Sequence, residues 1–217
     1  REVQLLGSST MNLREWMCVT GKLMCQISHQ NWTRKMQGKL IAIVGPSGVG
    51  KDSVMRELLN SSDVCLVKRV VTRPVEASNE DHFEMDVKRF RLNAECGAFI
   101  LKWEAHGLHY GITYEAIQPL FKGQDMLVNL SRKTLEEANN IFENFLVINL
   151  TAPKSILESR LKKRGRETSS EIIDRVNRKA EKFPASIKKF DVSNNRLVFE
   201  TAKEIKSILK LNDSVYV

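Results

Sequence analysis

Hydrophobic positions in this chain alternate between short unbroken runs and helix-spaced stretches. Leu40-Ile41-Ala42-Ile43-Val44 leads directly into the glycine-rich segment Gly45 to Ser53 and then into Val54-Met55-Arg56-Glu57-Leu58-Leu59, which predicts a buried strand, a tight turn and a helix ending near Asn60. Val64-Cys65-Leu66-Val67 with Val70-Val71 predicts a β-branched strand running into Thr72-Arg73-Pro74, where proline stops regular structure. Residues 79–110 mix short strands around Phe83, Phe99-Ile100-Leu101 and His109-Tyr110 with a helix near residues 86–96, and read as an insertion. Ile112 to Phe121 predicts a short amphipathic helix, Met126 to Leu130 a buried strand, residues 132–143 a helix, and Phe145 to Leu150 another buried strand. Fully apolar strands alternating with helices are the pattern of a parallel α/β sheet.

Towards the C-terminus Pro153 opens a helix that runs to about Arg164 and is broken by Gly165-Arg166-Glu167-Thr168. Thr168 and Glu171 have the spacing of a capping box for a second helix, from Ser169 to Lys182. Two helices joined by a polar, arginine-bearing turn predict a hinged lid over about residues 160–182. A short strand at Phe190 to Ser193 and a helix from Ala202 to Leu211 complete the pattern.

The chemistry concentrates in Gly45-Pro46-Ser47-Gly48-Val49-Gly50-Lys51-Asp52-Ser53. Glycines allow positive φ and close approach to a ligand, and the N–H groups of such a loop and of the first helical turn converge on an anion. Lys51 adds a point charge for β- and γ-phosphates, so all nine residues are expected to contact a nucleotide. The usual motif ends Gly-Lys-Ser/Thr with the hydroxyl on Mg²⁺; here Asp52 holds that place and Ser53 follows one residue late, so either is a candidate metal ligand. The fold class expected is therefore an α/β P-loop NTPase, a parallel sheet core flanked by helices.

Arg160, Arg164, Arg166, Arg175 and Arg178 fall in the lid. Phosphoryl transfer gathers negative charge on equatorial oxygens, and arginines on a mobile segment can close over it, which makes Arg164 and Arg175 catalytic candidates and Arg166 a nucleotide contact. A solvated charge stripe is the plain alternative. Lys and Arg outnumber Asp and Glu 34 to 26, a formal net charge of +8 in 217 residues. Phosphate handling accounts for this surplus better than nucleic acid does, because no basic run is interleaved with aromatics. No stretch approaches the length of a membrane span. Cys18, Cys25, Cys65 and Cys96 show neither C-x-x-C spacing nor histidine partners, so reduced thiols in a cytoplasmic protein are expected. Residues 1–38 have no secretory pattern and are expected to be a poorly ordered or non-native leader, with a targeting segment as the alternative, ahead of a kinase domain over residues 39–217.

Across roughly residues 39–211 the chain resembles the guanylate kinase superfamily, in the loop motif through Lys51, the Thr72-Arg73 pair, His106 to Gly111, and Arg160-Leu161-x-x-Arg164-Gly165. The resemblance implies an acceptor-binding insertion at about residues 72–112 and the helical lid. In that superfamily the segment after the second strand gives a serine, two arginines and a tyrosine to the acceptor. Here Arg73 keeps the first arginine, whereas Arg69 stands for the serine, Glu76 for the second arginine and Asp81 for the tyrosine. The guanine readers are replaced as well: Leu101 stands for the glutamate, Ile112 for the serine, and Asn129 and Ser131 for the acidic pair.

A narrower pattern fits better. The loop ending Lys51-Asp52-Ser53, Val71-Thr72-Arg73-Pro74, Trp103 to Gly111, Leu127 to Arg132, Arg164 to Glu167 and Asn194-Asn195 resemble the ribose 1,5-bisphosphate phosphokinases of bacterial phosphonate degradation. This implies ATP as donor, Mg²⁺ as cofactor and a sugar phosphate as acceptor. It also implies an acceptor site drawn from Arg69, Arg73, His106, Tyr110, Asn129 and Arg132, with Asn194 on the ATP side. His82 and His109 are further neutral donors, ordinary packing being the alternative for each histidine. Two other readings compete: a guanylate or other nucleoside monophosphate kinase, and a non-enzymatic binding module of the same fold. Neither nucleic acid nor membrane is an expected partner, and the oligomeric state is not readable.

Overall fold

The computed structural model describes residues 3–4, 10–11, 35–74, 81–105, 107–165, 168–177 and 182–212. Glu76, His106, Arg166, Arg178 and most of the leader lie outside the described residues. Within the leader, Val3–Gln4 and Thr10–Met11 pair as antiparallel strands. The chain forms two compact units, one of residues Met36–Leu66 and Lys122–Val217, the other of Val67–Phe121 together with Arg1–Lys35.

The first unit is built on a five-stranded sheet of β1 (Leu40–Val44), β2 (Cys65–Leu66), β7 (Met126–Asn129), β8 (Phe145–Thr151) and β9 (Lys189–Ser193), in the order β9-β8-β1-β7-β2 with every neighbouring pair parallel. β1 is central and buried at all five positions, which is why its sequence is apolar without alternation. Four α-helices of this unit bear on the site: α1 (Lys51–Ser61), α4 (Lys154–Arg164), α5 (Ser169–Asn177) and α6 (Val198–Leu209). Val54, Met55 and Leu58 of α1 and Ala202, Ile205 and Leu209 of α6 share one core with Ile41, Ile43, Ile148, Leu150 and Val192. The strand order reverses direction across β1, so the loop leaving its C-terminal end lies at the topological switch point where open α/β sheets bind ligands.

The second unit is a four-stranded mixed sheet, β3 (Arg69–Val71), β4 (His82–Glu84), β5 (Phe99–Ala105) and β6 (Leu108–Thr113), in the order β4-β3-β6-β5. Helix α2 (Val87–Glu95) is capped by Asp86, whose carboxylate accepts from the Arg89 N–H at 2.8 Å, and it packs Phe90 onto Phe99 and Val70.

The last helix opens at Val198 rather than Ala202 and closes at Leu209, and three further details depart from the expected elements. The single strand expected over residues 64–71 is two, because Cys65–Leu66 pairs with β7 in one sheet while Arg69–Val71 pairs with β4 and β6 in the other. The helix expected over 112–121 is a 3₁₀ helix, Glu115–Lys122, with Pro119 inside it and Ile112 given to β6; proline removes an i→i−4 bond and its ring clashes with the carbonyl four residues back, which disfavours a continuous α-helix here. The helix expected over 132–143 opens with a 3₁₀ turn, Arg132–Thr134, before α3 (Leu135–Ile141). The thiols differ too. Cys65 is free and exposed, but Cys96 is disulfide-bonded, contrary to the expectation of reduced cysteines. Among the described residues no helix is long and apolar enough to cross a membrane.

Candidate active site

The glycine-rich loop leaves β1 through Gly45, where a Cβ would stand 2.6 Å from the Leu150 carbonyl oxygen of β8, so only glycine lets the chain turn this close to the sheet. Gly50 closes the loop in the left-handed region, φ 92°, as the N-cap of α1, and no side chain caps the helix. The first intrahelical bond is Val54 N–H to Gly50 O at 3.0 Å, which leaves the N–H groups of Lys51, Asp52 and Ser53 outside the helical ladder. These donors, with the positive end of the helix dipole, make an anion-binding terminus. The Lys51 ammonium folds back onto the loop and donates to Gly45 O at 2.9 Å and Pro46 O at 3.2 Å.

The crest of the loop is held from outside. The Val49 carbonyl accepts from Asn194 Nδ2 at 2.7 Å and from Arg160 Nη1 at 3.1 Å. Asn194, buried just beyond β9, is itself fixed by its backbone N–H to Thr151 O at 2.8 Å and by Thr201 Oγ1, which donates to its Oδ1 at 2.9 Å. Leu157 and Leu161, one turn apart on α4, are buried on the face that meets the loop, and a Cβ at Gly48 would come within 3.0 Å of Leu161.

From α5, Arg175 Nη1 donates to Ser47 Oγ at 3.2 Å, which brings one expected lid arginine onto the loop. Arg164 is exposed in the last turn of α4, ahead of Gly165 in the left-handed region at φ 67°. The capping box forms as predicted: Thr168 N–H donates to Glu171 Oε2 at 2.7 Å and Glu171 N–H to Thr168 Oγ1 at 3.4 Å. The two Thr168 bonds hold the Glu171 carboxyl below the usual carboxylate range.

At the C-terminal edge of the same sheet Asn129 ends β7, half-buried, one residue past the pairing of Val128 with Ala42. Arg132 follows, its Nη2 donating to Asn149 Oδ1 at 2.9 Å and its guanidinium lying 4.7 Å from the Phe183 ring centroid. Asn149 Nδ2 in turn donates to Asp191 Oδ1 at 2.6 Å, and Lys189 pairs with the other oxygen of Asp191. The Asn149 amide, then Lys189, hold the Asp191 carboxyl below its ordinary range. Sequence reading missed Asn149 and Asp191; the signal was a lone amide near the C-terminal end of an otherwise apolar strand.

In the second unit, Val71 stands opposite Tyr110 and Tyr110 opposite Trp103, so Arg69, Tyr110 and Trp103 share one sheet face. The buried Arg69 guanidinium lies 5.5 Å from the Tyr110 ring centroid, and Tyr110 stacks on Trp103 at 5.2 Å with the rings 6° from parallel. Trp103 was not among the expected site residues. Arg73 O bonds Nε2 of the buried His82 at 3.0 Å. His109 stacks on Phe90 at 5.4 Å, and its backbone exchanges bonds with Thr72. Asp81 is ion-paired to Lys68 at 2.9 Å. Leu101 and Ile112 face each other directly across β5 and β6, 1% and 0% exposed. Neither can pair with a polar base edge.

Among the described residues no three His, Cys, Asp or Glu side chains cluster as a metal cage. Mg²⁺ at a phosphoryl-transfer site needs only one or two protein oxygens besides phosphate and water, and Asp52 and Ser53, both exposed on the first turn of α1, offer that donor set.

A parallel sheet whose central strand feeds a glycine-rich loop, a lysine and a helix, with arginines brought onto the loop from two further helices, defines a P-loop kinase. The guanylate kinase family model matches residues 37–212, and the curated relatives include the ribose 1,5-bisphosphate phosphokinase PhnN of a Ruegeria species, 38% identical over 181 residues, 82% of this chain and 95% of that one. The enzyme of the same name from Agrobacterium fabrum is 32% identical over 175 residues, 79% and 96% of the two chains, and that of Pectobacterium parmentieri 40% over 146 residues, 66% and 78%. The chain belongs to the guanylate kinase family and, within it, to the family of these ribose 1,5-bisphosphate phosphokinases. A solved guanylate kinase from Anaplasma phagocytophilum shares the fold, with a TM-score of 0.57 at 22% identity over 81% of this chain and 86% of that one.

Proposed function

We propose that this protein transfers the γ-phosphoryl group of ATP to the 1-phosphate of ribose 1,5-bisphosphate, giving 5-phosphoribosyl 1-diphosphate and ADP. The observation that supports it most is the Leu101–Ile112 pair, buried and apolar where a guanine-reading kinase needs hydrogen-bonding groups, in a chain whose relatives share that activity by name. The loop N–H groups and Lys51 hold the β- and γ-phosphates, Arg175 and Arg164 close over the transferred group, and Arg166 contacts the nucleotide. The acceptor contacts proposed are Arg69, Arg73, His106 and Tyr110 in the second unit and, separately, Asn129 and Arg132 in the first. Asn194 serves the ATP side through the loop it supports. Asp52 or Ser53 would hold Mg²⁺, which would supply charge neutralisation for the transferred phosphates.

An oxygen of the 1-phosphate forms the new bond to the γ-phosphorus as the bond to the β–γ bridging oxygen breaks and its electrons leave with ADP. The second pKa of a phosphate monoester is about 6, so the acceptor is already ionised near neutrality and the site needs no general base. An ATP-consuming reaction of this kind is expected in the cytoplasm. The test is transfer of labelled phosphoryl from ATP to ribose 1,5-bisphosphate, ribose 5-phosphate, AMP and GMP in parallel. Labelled 5-phosphoribosyl 1-diphosphate as the main product supports the reading. Labelled GDP or ADP as the main product would favour a nucleotide kinase, and no transfer to any acceptor would favour a binding module.

A further inference from the structure

A donor from within α4 and one from the segment just beyond β9 converge on one carbonyl of the phosphate loop, and the peptide bond converts that into an effect on the opposite face. Asn194 Nδ2 and Arg160 Nη1 both bond Val49 O, at 2.7 and 3.1 Å. The Val49–Gly50 peptide is trans, so its C=O and the Gly50 N–H point in opposite directions. Pulling the carbonyl toward Asn194 and Arg160 aims the Gly50 N–H away from them. A glycine at φ 92° has no side chain to resist a flip of that peptide, and a Cβ there would stand 2.8 Å from Asn194 Nδ2, so the clamp presses directly on the loop. Thr201 Oγ1 donates to Asn194 Oδ1, which fixes the amide with its NH₂ toward Val49.

We infer that Asn194 and Arg160 are positioning residues that lock the Val49–Gly50 peptide in the orientation presenting the Gly50 N–H to nucleotide phosphate, and that neither needs to touch the nucleoside to act. The inference rests on the proposed binding of ATP by this loop. It assigns Asn194 a role through the loop backbone and adds Arg160, which lies four residues before the expected lid arginine Arg164. Either donor alone still holds the carbonyl, so the two substitutions should combine more than additively.

The test is calorimetric titration of the full chain with ADP and, separately, with inorganic tripolyphosphate, for Asn194→Leu, Arg160→Met, the double variant and Arg160→Lys. Each single substitution should weaken both ligands about 3-fold and the double about 30-fold or more, the scale of one charge-assisted hydrogen bond, with Arg160→Lys near the unaltered protein. A purely structural role would lower thermal stability without this synergy. If Asn194→Leu fails to fold, Thr201→Val tests the same clamp one bond removed, with a smaller loss for both ligands expected. Loss for ADP with tripolyphosphate unchanged would put these side chains on the nucleoside and overturn the inference, as would unchanged binding of both. Failure of the unaltered protein to bind either ligand would instead overturn the kinase reading, and the clamp's role with it.

Discussion

Lys51 separates what the loop needs to fold from what it needs to act. In the ligand-free protein its ammonium donates to Gly45 O and Pro46 O at 2.9 and 3.2 Å, partly exposed to solvent. Two such bonds in a half-wet site are together worth about 1 kcal/mol of net stability, because water competes for both carbonyls once the amine is gone. For a chain of this size that lowers the thermal midpoint by about 2–4 °C. On the proposed reaction path the same cation neutralises charge between the β- and γ-phosphates. Removing one preorganised group of this kind costs about 2.7–4 kcal/mol, or 10² to 10³ in kcat. Lys51→Met keeps roughly the length of the side chain and removes the charge with its donors, so kcat at saturating ATP should fall by at least about 100-fold while the circular-dichroism melting midpoint moves by only a few degrees. Activity within a few-fold of the unaltered protein would refute the role given to Lys51. A midpoint drop beyond about 10 °C would show that the ammonium is first a structural brace.

Arg175→Lys and Arg164→Lys keep the charge but lose the planar fork, so each should lower kcat about 10-fold with little change in melting; unchanged steady-state kinetics for both would return them to a solvated stripe. Asp52→Asn should raise the Mg²⁺ concentration for half-maximal rate more than Ser53→Ala does, and the reverse order in a metal titration would assign the ligand to Ser53. The Asp191 carboxyl titrates below its unfolded value, so its contribution to stability is present above the ordinary carboxylate pKa and is lost as pH falls through the folded one. Its side chain is about half exposed, which keeps that contribution small. Asp191→Asn should therefore flatten the acid limb of a melting-versus-pH curve below about pH 4, and identical limbs for the two proteins would contradict the Asn149–Asp191 coupling.

The loop and its lysine were legible because everything that makes them work is contiguous: a strand, positive-φ glycines and a helix start within 20 residues of one another. The capping box of α5 was legible for the same reason. What sequence left hidden depends on partners far along the chain. Arg160 and Asn194 meet Val49 across 111 and 145 residues, and no local pattern distinguishes Arg160 from Arg164 on the same helix. Asn149 and Asp191 become a pair only when β8 and β9 align, with these two residues opposite each other. The break at Val67-Lys68 was invisible because both halves of that apolar stretch are good strands, and only their pairing partners assign them to different sheets. Leu101 and Ile112 gave the converse case. Read as missing base readers, they prove to be each other's cross-strand partner.

The central claim is that the acceptor site has exchanged base reading for phosphate holding, and acceptor discrimination tests it most directly. Guanine offered to the buried Leu101–Ile112 pair would leave its polar edge unpaired, at about 1–3 kcal/mol for each lost contact. Two such losses correspond to a discrimination of roughly 100-fold or more. The measurement is kcat/KM for ribose 1,5-bisphosphate and for GMP on the same preparation at saturating ATP and Mg²⁺. A ratio of at least about 100 in favour of ribose 1,5-bisphosphate is expected. Comparable values, or a preference for GMP, would contradict the account.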